Sequence, residues 1–180
     1  LQYKGILSEV RAVRTTLGIF DVSHMGRVEV NGHNAPVLLS RVFGSDISEL
    51  EVGRAVYGVL CDDRGGIIDD SILYRTEDDR FLLVPNAANT DPVVEWLTRC
   101  RITGDQVGIR VLTSKLAMIA VQGPKSMEII TEVLKDNLDG IRYFGTTKMS
   151  LLGTEALIAR TGYTGEIGFE IILAAEVATE

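Results

Sequence analysis

Ala55-Val56-Tyr57-Gly58-Val59-Leu60-Cys61, Asp62-Asp63-Arg64-Gly65-Gly66 and Ile67-Ile68-Asp69-Asp70-Ser71-Ile72-Leu73-Tyr74 read in succession as strand, turn and strand. Two runs rich in β-branched and aromatic residues flank a polar link ending in two glycines. That is the pattern of a hairpin, and so of an antiparallel sheet. Side chains along a strand alternate between faces. Ile68, Asp70, Ile72 and Tyr74 therefore share one face, and Ile67, Asp69, Ser71 and Leu73 the other. Asp70 stands between two isoleucines with a tyrosine beyond. A carboxylate on such a face is costly unless a partner, ligand or proton compensates it. Desolvation raises a carboxyl pKa and lets the group exchange a proton with a substrate. The expectation is an inward, poorly solvated Asp70. The competing reading is an acid at the mouth of a hairpin, solvated or bonded to turn amides.

Working outward, Ile6, Val10, Val13 and Leu17 recur at helical spacing, with Ser8 as cap and Gly18 as stop. Phe20 to Val30 is extended, interrupted at Ser23-His24-Met25-Gly26. Pro36 to Phe43 reads as a helix between Asn34 and Gly44. Phe81 to Val84 makes a third strand beside the hairpin, and Asn89 or Thr90 caps a helix through Trp96 and Leu97. Gln106 to Leu112 and Leu116 to Val121 are strands, followed by a helix over Lys125 to Leu134. Lys148 to Leu152 and Ala156 to Arg160 form a hairpin over Gly153-Thr154, and Phe169 to Leu173 is a last strand.

The chain echoes itself. Val30-Asn31-Gly32 leads into Ala35, Leu38, Leu39 and Val42, while Val121-Gln122-Gly123 leads into Ser126, Ile129, Ile130 and Val133. Both read as strand, glycine turn and helix with one apolar spacing. The echo suggests two related β-turn-α lobes, roughly 1–26 with 112–180 and 27–111, able to hold a ligand between them. Such units are also frequent by chance. Hairpins alternating with helices give an α+β class, antiparallel sheets with helices packed on one face.

Composition narrows the function. The chain has 180 residues, 46% hydrophobic and 24% charged, ordinary for a globular protein with a real core. A net charge of −7 argues against a nucleic-acid or anionic-membrane surface as the main task. Cys61 and Cys100 stand far apart without a partner motif, so reduced core thiols are expected rather than a disulfide or zinc site. No signal peptide and no membrane-length apolar run is visible, which points to the cytoplasm. The start at Leu1 and the stop at Glu180 look like the ends of a fragment.

A second unusual segment is Arg160-Thr161-Gly162-Tyr163-Thr164-Gly165-Glu166-Ile167-Gly168-Phe169-Glu170-Ile171. Glycines at every third residue without a following Lys-Ser/Thr are not a phosphate loop. They suit positive φ, or close approach of backbone to a ligand. Glu170 interrupts an apolar strand much as Asp70 does, and each has a tyrosine nearby. A carboxylate can accept two parallel hydrogen bonds from an amine and a ring N–H, which fits a pterin or purine edge. The alternative for Glu170 is a salt bridge, for instance to Arg160. Asp21, Ser23 and His24 cannot form a nucleophilic triad, because they are near-consecutive in one extended segment. With two histidines in the chain a histidine metal site is not expected. A carboxylate site at Asp62, Asp63, Asp69 and Asp70 lacks support. Met25 and Trp96 read as packing residues.

Four blocks together are more specific: Phe20-Asp21-Val22-Ser23-His24-Met25-Gly26, Gly65-Gly66-Ile67-Ile68-Asp69-Asp70, Val121-Gln122-Gly123-Pro124 and Arg160-Thr161-Gly162-Tyr163-Thr164-Gly165-Glu166. In order and spacing the whole chain resembles the aminomethyltransferase (T-protein) family of the glycine cleavage system. The resemblance implies a folate-binding domain and a tetrahydrofolate-dependent transfer. In it the aminomethyl group on the lipoyl arm of H-protein yields 5,10-methylenetetrahydrofolate, ammonia and dihydrolipoyl H-protein. It implies Asp70 as the catalytic carboxylate beside the folate nitrogens and Glu170 as the acid gripping the pterin. Tyr57 and Tyr163 would contact folate, and Met25, Ile72, Tyr74, Val84 and Asn86 would line its pocket, with Tyr143 a weaker match. Tetrahydrofolate would serve as acceptor substrate, without a metal, and the partners would be folate and lipoyl H-protein, with no nucleic acid and no membrane.

Members of this family continue past Glu170 into further folate-domain sequence and a C-terminal β-rich domain, and carry a later arginine near the site. Residues 1–180 would then be an incomplete folate-binding domain. Pro85 and Ser71 stand where family members often have aliphatic residues. Two other readings compete. One is a related folate-dependent demethylase acting on methylated amines or sulfonium compounds. The other is a non-catalytic folate-binding protein of the iron–sulfur assembly type, whose Lys-Gly-Cys-Tyr-like motif has no counterpart in the cysteine-free stretch Arg160 to Gly165.

Overall fold

A computed structural model of the protein describes residues 3–102, 104 and 106–179. In chain order the elements are α1 (Ile6–Thr15), β1 (Gly18–Asp21), β2 (Val28–Asn31), α2 (Ala35–Val42), β3 (Arg54–Cys61), β4 (Ile67–Glu77), β5 (Arg80–Val84), α3 (Thr90–Cys100), β6 (Gly108–Val111), β7 (Leu116–Gln122), α4 (Ser126–Leu134), β8 (Thr146–Leu151), β9 (Thr154–Ala159) and β10 (Gly168–Ala174). One-turn 3-10 helices at Ala87–Asn89 and Ala175–Val177 complete them. The chain divides into two compact units, Leu1–Val22 with Ala117–Glu180, and Ser23–Leu116.

The unit Ser23–Leu116 is built on a five-stranded sheet in the order β3-β4-β5-β2-β6, with every neighbouring pair antiparallel. The register aligns Tyr57 with Ile72 and Ile72 with Val84. One sheet face presents Val28, Val30, Leu60, Leu73, Phe81 and Leu83 to Ala35, Leu38, Leu39 and Val42 of α2 and Val93 and Leu97 of α3. Burial of such aliphatic side chains, at ~1.5–3 kcal/mol each, holds the layer together. Asp62 makes the hairpin turn: its Oδ1 accepts from the backbone N–H of Arg64 at 2.9 Å and of Gly66 at 2.7 Å.

The other unit carries the sheet β1-β7-β10-β9-β8. Its core gathers Val121, Ile158, Phe169 and Leu173 with Ile130, Met127 and Leu134 of α4. The fold is thus α+β, with helices against one face of each antiparallel sheet. The echo is visible locally. Gly32 (φ +112°) and Gly123 (φ +137°) follow β2 and β7, and their carbonyls accept from Ala35 N–H at 2.8 Å and Ser126 N–H at 2.9 Å. A Cβ at Gly32 would lie 2.1 Å from Gln106 O, and one at Gly123 2.5 Å from Thr16 O. Conformation and space both demand glycine there.

Several expectations are corrected. Ser8 does not cap α1; Gly5 holds the cap position and Ser8 Oγ donates back to the Lys4 and Gly5 carbonyls. α1 stops at Thr15, and Gly18 opens β1. Val133 does not continue the buried stripe of α4 but is 67% exposed, and Leu134 packs instead. The second hairpin turns at Leu152-Gly153, where both residues have positive φ (51° and 77°), the type I′ geometry that suits a two-residue loop. The strand foreseen over Gln106 to Leu112 shortens to Gly108–Val111. Cys61 and Cys100 are free thiols, but half-buried rather than core. Among the described residues no helix is long and apolar enough to cross a membrane.

Candidate functional site

β4 places its two acids on opposite faces, and the helix-covered face takes the first of them. Asp69 is 2% exposed and Ser71 and Leu73 share its side, while Asp70 is exposed. The expectation of an inward Asp70 is therefore overturned. The hairpin's aliphatic positions belong to both faces, so the isoleucines flanking Asp70 do not mark the side that α2 and α3 cover. Ile68 and Ile72 are only half-buried.

The inward acid is fully answered. Ser71 Oγ donates to Asp69 Oδ2, and Asn86 N–H donates to the same oxygen at 3.1 Å. Asp69 Oδ1 accepts from Asn86 Nδ2 at 3.0 Å and Asn89 Nδ2 at 2.7 Å. Every partner is a neutral amide or hydroxyl, which offsets the desolvation of the carboxylate with hydrogen bonds. Asn89, expected as a helix cap, occupies that position with no side-chain capping bond, because its amide is committed to Asp69.

Asn86 connects this buried cluster to the open face. Its Nδ2 also donates to Asp70 O at 3.0 Å and Asp70 Oδ1 at 3.2 Å. Tyr57 OH donates to Asp70 Oδ2 at 2.9 Å. Tyr57, 54% exposed, reaches Asp70 diagonally, since its own cross-strand partner is Ile72 and Asp70 faces Val59. The result is a solvent-reachable carboxylate steadied from two sides, above a half-buried Ile72. Tyr74 and Val84 stand on the same sheet face but are buried. They support this surface rather than form its outer wall. Met25 is half-buried in the loop before β2. Gly26 N–H donates to Pro85 O at 2.8 Å, which docks that loop next to Asn86. A Cβ at Gly26 would lie 2.4 Å from Thr90 Oγ1, so this close approach needs glycine.

Tyr143, Tyr163 and Glu170 belong to the other unit. Glu170 is half-buried on β10 and accepts from Thr161 Oγ1. Arg160, the alternative partner for it, donates Nη1 to Ile141 O at 2.9 Å. Tyr163 is 98% exposed, and the ring of Tyr143 meets Phe144 edge-on at 4.7 Å between centroids. Two glycines of this segment admit a side chain of the protein. A Cβ at Gly162 would lie 1.9 Å from Gln122 Oε1, and one at Gly168 2.3 Å from Gln122 Nε2. Gln122 is buried, donates Nε2 to Thr161 O at 3.1 Å and accepts from Thr164 Oγ1 at 3.0 Å. Gly165 instead has φ +77°.

The four acids of the hairpin have separate tasks: Asp62 in the turn, Asp63 beside Arg99 at 3.4 Å, Asp69 with its amides and Asp70 with Tyr57. Among the described residues no group of three or more His, Cys, Asp or Glu side chains is gathered to hold a metal. Burial raises the Cys100 thiol above its ordinary range, so it stays protonated at neutral pH. Sequence reading named Asp69 only among the acids of a conceivable carboxylate site and Asn89 only as a helix cap, not as partners of one another. Their signal was the acid next to Asp70, on the face shared with Leu73.

The model of the GCVT N-terminal domain family matches residues 2–180. The chain belongs to this GCVT N-terminal domain family. An aminomethyltransferase from Thermotoga petrophila is 42% identical over 178 residues, covering 99% of this chain and 49% of that protein. One from Bacillus cereus is 42% identical over 181 residues, again 49% of its length. The chain thus spans about half the length of the curated relatives it matches. Among solved structures, the glycine cleavage system aminomethyltransferase T from Bartonella henselae superposes with a TM-score of 0.90 at 32% identity, over 99% of this chain and 48% of that one. A chain of the heterotetrameric sarcosine oxidase from Corynebacterium sp. U-96 gives 0.62 at 15% identity, over 96% of this chain and 85% of that one, a likeness of fold alone.

Proposed function

We propose that this chain is the folate-binding portion of an aminomethyltransferase. Its reaction would move the aminomethyl group from lipoyl H-protein to tetrahydrofolate, giving 5,10-methylenetetrahydrofolate, ammonia and dihydrolipoyl H-protein. The observation that carries the reading is the carboxylate of Asp70, exposed on a sheet face and held by Tyr57 OH and Asn86 Nδ2. Family membership and relatives named aminomethyltransferase support it.

The donor set fits a flat heterocycle with ionisable nitrogens. Two donors fix the direction of the Asp70 carboxylate, and its remaining lone pairs stay available to an N–H. Ile72 offers an apolar floor, and the exposed ring of Tyr57 a wall. When a folate nitrogen attacks the methylene carbon, its lone pair forms the C–N bond as the C–S bond breaks and the lipoyl thiolate leaves, and the nitrogen becomes cationic; closure onto the second folate nitrogen then expels ammonia. Asp70 would accept its proton, or steady the charge until the proton leaves. Proximity of the two carriers supplies much of the remaining rate. For Glu170 we propose acceptance of the pterin amino and ring N–H groups, with Tyr163 contacting folate.

The test is Asp70→Asn, assayed by tetrahydrofolate binding and by ammonia release from aminomethyl-lipoyl H-protein. The amide keeps the size and loses the base, so affinity should stay within about tenfold while turnover falls by ~10²-fold or more. Unchanged turnover would discard the role. Ammonia release from the lipoyl carrier also separates this reaction from demethylation of methylated amines or sulfonium compounds.

A further inference from the structure

We propose that Asp69 is a positioning residue for this reaction, acting on Asp70 through the side-chain amide of Asn86. The inference rests on the reading of Asp70 given above and assigns the buried acid beside it a part in that chemistry. Four donors meet at Asp69, and two of them come from one residue: Asn86 gives its backbone N–H to Oδ2 and its Nδ2 to Oδ1, at 3.1 and 3.0 Å. The same Nδ2 reaches the carbonyl and the carboxylate of Asp70 at 3.0 and 3.2 Å. An amide nitrogen has two hydrogens, and here an acid on each face of β4 draws on them. Asn86 is thereby held with its nitrogen, not its oxygen, toward Asp70.

The alternative orientation shows what this secures. With the amide reversed, Asn86 Oδ1 would confront the Asp70 carboxylate, an acceptor against an acceptor. Asp70 would lose a donor and turn away. Asp69 opposes that reversal because it is buried and has no donor to offer in exchange. Asn89, at 2.7 Å on Oδ1, and Ser71 on Oδ2 share these oxygens with Asn86 and hold Asp69 itself. The chain of contacts runs from Asn89, just ahead of α3, and from Ser71 on β4 through Asp69 and Asn86 to the open face, so Asp69 acts on the base from the covered side.

Asp69→Asn tests this, because it replaces one acceptor oxygen by a donor amine in the same volume. Asn86 can then reverse. Turnover of the protein should fall by ~10- to ~100-fold while KM for tetrahydrofolate changes by less than about threefold, the scale of coupling within one hydrogen-bonded network. In the Asp70→Asn background the same substitution should change the residual rate by less than about threefold, because residues acting as a unit are not additive. Asp69→Glu, which keeps both acceptors, should recover part of the rate.

Equal fractional losses in both backgrounds would overturn the proposal and mark Asp69 as a general stability residue. Unchanged turnover in Asp69→Asn, with turnover lost in Asp70→Asn, would also overturn it while leaving the reading of Asp70 standing. Unchanged turnover in Asp70→Asn would remove that reading instead. Should Asp69→Asn fail to fold, as judged by circular dichroism, Ser71→Ala and Asn89→Ala carry the test. Each removes one side-chain donor from Asp69 and none of the side-chain hydrogen bonds between Asn86 and Asp70. Each should slow the wild-type background by a few-fold and leave the Asp70→Asn background unchanged; equal slowing of both would again overturn the proposal.

Discussion

Asp69 and Asp70 are adjacent and chemically identical, yet the sheet gives them opposite tasks. One is buried among four donors, the other exposed beside Tyr57. Stability should separate them. Asp69→Ala orphans the buried hydroxyl of Ser71, at about 1–3 kcal/mol, and takes an acceptor from the half-buried Asn86 N–H and Asn89 amide besides. Asp70→Ala leaves groups that water can reach, and should cost less than about 1 kcal/mol. Urea melts of the two variants measure the difference directly. Alternation along β4 was legible in the sequence, and so was Asp70 as a residue of interest. Which face the helices cover was not, because Ile67 and Ile68, or Ile72 and Leu73, supply apolar side chains to both. The glycines between Arg160 and Phe169 show the same limit. Their crowding was visible, but the object they crowd is Gln122, about forty residues upstream. Gly162→Ala should cost about 1–3 kcal/mol, since hydrogen bonds to Thr161 and Thr164 keep the buried Gln122 from retreating. In a Gln122→Ala background that penalty should shrink, and a double-mutant cycle by urea denaturation reads the coupling.

At the scale of elements, local chemistry decides the ends that hydrophobic spacing leaves vague. The helical repeat of Ile6, Val10 and Val13 was legible, but its start depends on Glu9. That carboxylate accepts from the backbone N–H of Tyr3, Lys4 and Gly5 at 2.6, 2.7 and 3.1 Å, doing for α1 what Ser8 was expected to do. The N–H of Lys4 first, and then that of Tyr3, hold the Glu9 carboxyl below its ordinary value. Folding therefore favours the ionised form. The contribution is complete above the usual glutamate range and is lost as pH falls below about 4.3. The protection factors of the Tyr3, Lys4 and Gly5 amides, taken relative to intrinsic exchange at each pH, should fall as pH drops through that window in the wild type, and Glu9→Gln should remove that change. The turn between β8 and β9 is a second case. Leu152 holds φ +51°, a region that costs a leucine about 1 kcal/mol or more, and half of its surface is exposed. Asparagine tolerates that conformation, and Asn-Gly is a favoured type I′ pair. Leu152→Asn should raise stability by up to about 1 kcal/mol in thermal or urea melts. The turn was foreseen one residue late because nothing in leucine announces positive φ.

For the whole molecule, the chain enters the unit Ser23–Leu116 once and leaves it once, and a single side chain ties both ends. Arg27 is completely buried. Its Nη1 donates to Ser23 O at 2.8 Å and to Met25 O, on the way in. Its Nη2 donates to Thr113 O and to Leu116 O, at 2.5 and 2.6 Å, on the way out. The backbone repeats the link, with Arg27 N–H on Thr113 Oγ1 at 3.0 Å and Leu112 N–H on Arg27 O at 2.8 Å. A planar guanidinium can serve two pairs of carbonyls at once, whereas a lysine ammonium presents one point of charge. Arg27→Lys should therefore not rescue, and Arg27→Met should lower stability by about 3 kcal/mol or more through the orphaned carbonyls. Trp96, the only tryptophan of the chain, lies on α3 in the same unit, so its fluorescence during guanidinium unfolding reports the loss. Arg14 provides the contrast. Its ion pair with Glu166 at 2.9 Å is partly exposed, and Arg14→Ala should cost no more than about 1 kcal/mol. If Arg27→Met left the Trp96 transition where it is in the wild type, the two chain ends would be held by their backbone pairing alone, and Arg27 would be a buried charge without structural effect.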